Sequence, residues 1–255
     1  AGLGALPMVL LSPLPRAASW PYLALGVALH TGYNLFLVSA YRVGDFGQAY
    51  PIARGSSPML VSVGAAVLLG EQMSGWSWLG VGLISVGILS LAQLHRRMSL
   101  AGPLAALATG VFIAGYTVVD GLGARASGDA LAYAGWLFLL DSPIIGLVYL
   151  LRSRRLPVTP GGRALWTGLG GGVLSLLAYG IVIWAITLAP MGTVSALRET
   201  SVLFAALIGA IVLGEKLTLR RPLSCLLITG GAMLLGLQRS AGRRASLWHL
   251  QHTRR

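Results

Sequence analysis

Of the 255 residues, 55% are hydrophobic and only 10% charged, with a mean hydropathy of +0.76, whereas soluble domains carry about 25% charged residues; a water-soluble globular fold is excluded. The net charge of +12 comes from 19 Lys and Arg against 7 Asp and Glu, placed at the ends of apolar runs and in the tail. That placement fits headgroup anchoring and topology bias, not a nucleic-acid platform of interleaved aromatics.

The chain opens on an apolar run, Ala1 to Ser12, too short to cross a bilayer and read as the second half of a helix whose beginning is absent. Eight runs follow that are long enough to span a hydrocarbon core of about 30 Å. They are Trp20 to Tyr41, Pro51 to Leu69, Trp78 to Leu94, Leu104 to Leu122, Ala130 to Leu151, Ala164 to Leu188, Val194 to Leu213 and Pro222 to Leu237. Lipid-exposed backbone must satisfy its own hydrogen bonds, so the runs are helices. The fold class is all-α, a polytopic membrane helix bundle. Loops are expected at Pro13 and Pro15, Gly44 to Gly47, Ser74-Gly75, Gly121 to Gly128, Pro157 to Gly162 and Pro190. The five-arginine tail from Arg239 reads as disordered or lying on headgroups. Trp20, Trp76, Trp78 and Trp166 stand at run boundaries, as an interfacial belt requires. Gly168, Gly170, Gly171 and Gly172 form a small-residue patch suited to close helix approach. Without a preceding strand or a motif lysine it is no phosphate loop. The single cysteine, Cys225, rules out an internal disulfide or a Cys-based metal site, and no cofactor or metal is expected.

An internal duplication organises the chain. Ile52 to Glu71 overlays without a gap on Ala196 to Glu215, matching Arg54 to Arg198, Ser56 to Thr200, Ser57 to Ser201, and Gly70-Glu71 to Gly214-Glu215. The intact unit has five helices, giving ten in all, of which eight and a remnant are present. An odd number of helices per repeat inserts the second copy from the opposite face, and inverted repeats are the sequence sign of secondary transporters. The expected domains are residues 1–97, an amino-terminally truncated first repeat; 98–238, the second repeat; and 239–255, the basic tail.

Two halves that each close on Leu-Gly-Glu, with ARGSSP at residues 53–58 and ALRETS at 196–201, resemble the EamA family of the drug/metabolite transporter superfamily. The resemblance implies two five-helix bundles around a central cavity, transport of small metabolites or toxic compounds, and cytoplasmic termini. Basic residues number seven on the tail side and ten on the other, a weak bias that opposes this orientation and that an inverted duplication produces.

Several residues are candidates for chemistry. Arg54 and Arg198 each begin an apolar helix; charge at membrane depth needs water or a partner, and a guanidinium fork suits an anionic substrate group. The plain alternative is snorkelling to the interface. Glu199, whose first-half counterpart is Gly55, either pairs with an arginine or carries a coupling proton. Ser57 and Ser201 follow their arginines at i+3 and either meet substrate or bond their own backbone. His30, Tyr33 and Asn34 form a polar stripe in a spanning helix, with Tyr179 in the corresponding second-half helix; His30 is a candidate for proton coupling or a packing residue. Asp120 is expected at a helix end in contact with water. Asp141 is read as support for the kink at Pro143, and Glu71 and Glu215 as partners of loop donors.

The expected function is secondary transport of an amino acid, organic acid or drug-like compound by alternating access, export included, with proton coupling or exchange. A membrane enzyme or a non-transporting subunit is the alternative; no HExxH zinc site or serine triad is recognisable, so the protein is read as not an enzyme. The expected partners are a small-molecule substrate and the lipid bilayer, with a homodimer allowed and nucleic acid excluded. The expected location is the bacterial cytoplasmic membrane.

Overall fold

A computed structural model of the chain describes residues 2–43, 46–92, 100–153, 162–204 and 222–237. Among these residues there is no strand. The helices are α1 (Gly2–Leu11), α2 (Trp20–Val43), α3 (Phe46–Leu69), α4 (Gly75–Leu89), α5 (Ala101–Ser127), α6 (Ala130–Ser153), α7 (Arg163–Leu188) and α8 (Met191–Glu199), followed by α9 (Pro222–Leu237). Five helices, α2, α3, α5, α6 and α7, are long and apolar enough to span a membrane. The 15 residues of α4 cover only about 22 Å at 1.5 Å per residue, so the expected span Trp78 to Leu94 is shorter than its hydropathy predicts. The run Val194 to Leu213 is likewise interrupted, with α8 stopping at Glu199 and Thr200 forming a turn. The remainder of that run beyond Phe204, the Gly214-Glu215 motif, Lys216 and the basic tail lie outside the described residues.

Helix ends follow their local chemistry. Ser74 Oγ accepts from Ser77 N at 3.2 Å and caps α4. Asp129 Oδ1 accepts from Leu131 N at 2.8 Å and Ala132 N at 2.9 Å and caps α6. One expected loop is absent: the glycines from Gly121 do not end α5, which continues to Ser127 and turns only at Gly128, φ +82°. In apolar surroundings the backbone must keep its intrahelical bonds, and that requirement outweighs the weak helix preference of glycine.

Clustering of contacts divides the chain into two compact units, each drawing on both sequence halves. One comprises residues 1–36 and 115–189, the other 37–114 and 190–255. In the first, α1 packs on α6 and α7, over a core of Leu23, Val27, Tyr133, Leu137 and Ile183. In the second, α3, α4 and α8 pack mutually, so the duplicated segments α3 and α8 touch. They meet where a Cβ on Gly192 would collide with Ser62. There α4 also approaches α9 closely enough that a Cβ on Gly231 would lie 2.6 Å from Gly80 O. The close approaches therefore do not fall on the expected patch of α7. Gly168, Gly170 and Gly171 have open space where a Cβ would stand among the described residues. Trp76 and Trp166 are exposed, as an interfacial belt requires, whereas Trp20 packs edge-on against Trp136 at 5.3 Å.

Candidate functional site

In the second unit the candidates converge on Glu199. Its side chain is fully buried and lies 2.8 Å from Arg54 Nε and 3.1 Å from Arg198 Nη2, and Arg198 Nε also donates to it at 3.1 Å. Arg54 stands over the Tyr50 ring, 5.7 Å from its centroid, and its Nη2 donates to Ser201 Oγ at 3.5 Å. Two guanidinium groups share one carboxylate, so the triad carries a net charge of +1. Arg54 does not begin its helix, as the sequence implies. α3 starts at Phe46, which places Arg54 about 12 Å along the helix axis, beyond its first turn.

Ser57 has a different task. Pro58, inside α3, has no N–H to offer the carbonyl of Arg54 four residues back. The buried Ser57 hydroxyl donates to that carbonyl instead, at 3.1 Å, repairing the backbone bond the proline removes. Glu71, in the same unit, accepts the Met191 N–H at 2.8 Å. This places a carboxylate on the first turn of α8, where the helix dipole favours it.

In the first unit a second group assembles around Asp120, which the sequence places at a wet helix end. The correction follows from the longer α5: Asp120 sits more than a turn inside it and is fully buried. Two hydroxyl donors and an imidazole nitrogen converge on its carboxylate. Tyr179 Oη donates at 2.6 Å and Tyr133 Oη at 3.1 Å, and His30 Nε2 lies 2.9 Å away. The imidazole stacks on Tyr116 with ring centroids 4.0 Å apart, and Tyr33 meets Tyr116 edge-on at 5.6 Å. A Cβ on Gly26 would collide with Asp120 Oδ1, and one on Gly123 with the Tyr133 ring, so both glycines make room for this group. Asn34 is directed elsewhere, donating to His30 O in its own helix at 2.8 Å.

The structure thus brings Arg54, Arg198, Glu199 and Ser201 together in one unit, and His30, Tyr33 and Tyr179 together in the other. Ser57 and Asn34 bond their own helices. Asp120, Tyr116 and Tyr133 complete the second group and were not among the expected binding residues. Tyr116 and Asp120 stand at i, i+4 in an apolar helix, a spacing that marks one polar face. Asp141 has a buried carboxylate oxygen, Oδ1, without a hydrogen-bond partner. Among the described residues no group of three or more His, Cys, Asp or Glu is arranged to hold a metal.

A helical membrane protein that buries paired charges inside spanning segments belongs to the class in which intramembrane ionisable groups mark pathways and coupling sites. The match is specific: residues 100–237, more than half of the chain, fit the model of the EamA-like transporter family. The chain belongs to that family, within the drug/metabolite transporter superfamily, and is a multi-pass integral membrane protein. It is 30% identical over 174 residues to an uncharacterized protein of Pseudomonas aeruginosa, an alignment covering 67% of this chain and 58% of that relative. The chain therefore spans less than two thirds of that relative's length. A protein of known crystal structure shares the fold at TM-score 0.72 and 21% identity, over 93% of this chain and 83% of the other.

Proposed function

We propose that the protein is a secondary transporter that carries small metabolites with an anionic group, such as amino acids or organic acids, across a bacterial cytoplasmic membrane by alternating access. Drug-like anions fall in the same class, and export is included. The observation that carries this reading is the fully buried Glu199 held between Arg54 and Arg198. The two guanidinium groups lie in spanning or membrane-embedded helices, and a guanidinium fork suits a substrate carboxylate. Ser201, within reach of Arg54, supplies a hydroxyl for the same group.

The test uses purified protein in liposomes. Metabolites that raise its thermal stability are assayed for saturable counterflow, and Arg54→Gln and Arg198→Gln are assayed beside the wild type. Loss of counterflow in either variant, with the protein inserted and folded, supports the reading. Chemical conversion of the metabolite, or unchanged counterflow in both variants, rejects it.

A further inference from the structure

A transporter of this kind needs a driving force, and the anion triad provides none by itself, because its carboxylate is already engaged by two guanidinium groups. The group around Asp120 is built differently. Among the described residues it has one carboxylate, one imidazole and no permanent cation within hydrogen-bonding distance. The pair His30–Asp120 is therefore net negative when the imidazole is neutral, and neutral once a proton is bound. Burial differs across the pair as well: the Asp120 side chain is fully enclosed, whereas His30 keeps 16% of its side chain exposed. The imidazole is thus the more accessible member of the pair.

We infer that His30, held by Asp120 as its buried counter-charge, is the binding site of the coupling proton, an inference that rests on the transporter reading for its purpose but not for its chemistry. Two tyrosine hydroxyls donate to Asp120, the arrangement that suits an acceptor-only carboxylate, and His30 Nε2 lies 2.9 Å from it, so in this proposal the bound proton resides on the ring. Tyr116 stacks on one face of that ring and Tyr179 meets it edge-on at 5.6 Å, which fixes Nε2 toward Asp120.

The titratable groups facing the pair are Tyr33 from α2, Tyr116 from α5, Tyr133 and Asp141 from α6, and Tyr179 from α7; Asp141 interacts electrostatically with both His30 and Asp120. α1, which packs on α6 and α7, contributes no titratable side chain. Arg16, Arg125 and Asp129 belong to the Gly128 turn. Arg125 Nη2 donates to Ile186 O at 3.0 Å, Arg16 lies against Gly128 and Asp129 caps α6.

The proton itself is the probe. Protein labelled with 15N-histidine and 13C-aspartate in lipid nanodiscs is titrated by NMR, with the His30 signal assigned by its loss in His30→Gln and the Asp120 signal by its loss in Asp120→Asn. Expected is a one-proton step on His30 while Asp120 13Cγ keeps its ionised value. Proton binding is expected to be at least tenfold weaker in Asp120→Asn, with a smaller change in Asp141→Asn. The inference is overturned by a His30 signal that does not titrate, by a carboxyl that protonates instead, or by an Asp141→Asn effect larger than that of Asp120→Asn. If Asp120→Asn fails to fold, the wild-type reading still decides: a His30 step, assigned through His30→Gln, during which no aspartate 13Cγ signal takes up a proton supports the inference, and a protonating carboxyl in that step overturns it. No transported compound enters this experiment. A titrating His30 without metabolite counterflow sinks the transport reading alone, and counterflow with a silent His30 sinks the proton site alone.

Discussion

Glu199→Gln is expected to destabilise the protein far more than Arg54→Gln, although both changes remove one charge from the same cluster. The wild-type triad is net +1, with Glu199 fully buried and the arginine side chains 23% and 13% exposed. Removing Arg54 leaves the neutral pair Arg198–Glu199. Removing Glu199 takes away the carboxylate that both guanidinium groups share. A unit-charge attraction across about 4 Å amounts to about 4 kcal/mol at an effective dielectric constant of 20, and desolvation offsets part of it. Breaking a buried pair by deleting one partner typically costs about 3–5 kcal/mol, the value we expect for Glu199→Gln, against about 1 kcal/mol for Arg54→Gln. For a chain of this size a loss of about 3–5 kcal/mol corresponds to a fall in Tm of roughly 6–20 °C for Glu199→Gln, read from thermal unfolding in nanodiscs. Because Arg54→Gln keeps the fold, it remains usable for the counterflow test. Should Arg54→Gln lower Tm as much as Glu199→Gln, the charge argument fails and Arg54 is held in place by packing.

Two further outcomes follow from the same geometry. Ser57→Ala is expected to leave the Arg54 carbonyl without a donor, at a cost of about 1–3 kcal/mol; a Tm equal to wild type would show that the Pro58 gap is closed in another way. Gly26→Ala is expected to lose about 1–3 kcal/mol by overpacking against Asp120 and Leu137, whereas Gly146→Ala, with open space around it, is expected to be tolerated. Equal thermal stability of the two alanine variants would contradict the close packing around Asp120.

The Arg54–Arg198 correspondence was legible in the residues because a gapless repeat is a comparison along the chain and needs no fold. Its consequence, that both arginines meet on Glu199, required α3 and α8 to pack together. Asp120 was misplaced for a reason of the same kind. The run of glycines after it carries a turn signal in water, and only the apolar setting of α5 turns that signal into helix. Ser57 looked like a ligand because its spacing from Arg54 repeats in the second half. The structure uses its hydroxyl to repair a backbone bond, a task that follows from Pro58 one residue on.

What the chain determines by itself is local. Hydropathy over about 20 residues decides which segments enter lipid, and the requirement that buried backbone bond to itself makes them helices. The duplication then points to a transporter. What tertiary structure alone decides is which polar groups lose water and find each other. Asp120, His30, Tyr133 and Tyr179 come from four helices, with His30 and Tyr179 standing 90 and 59 residues from Asp120. Their meeting depends on how glycines such as Gly26 and Gly123 let those helices approach, an arrangement that no periodicity along a single helix encodes.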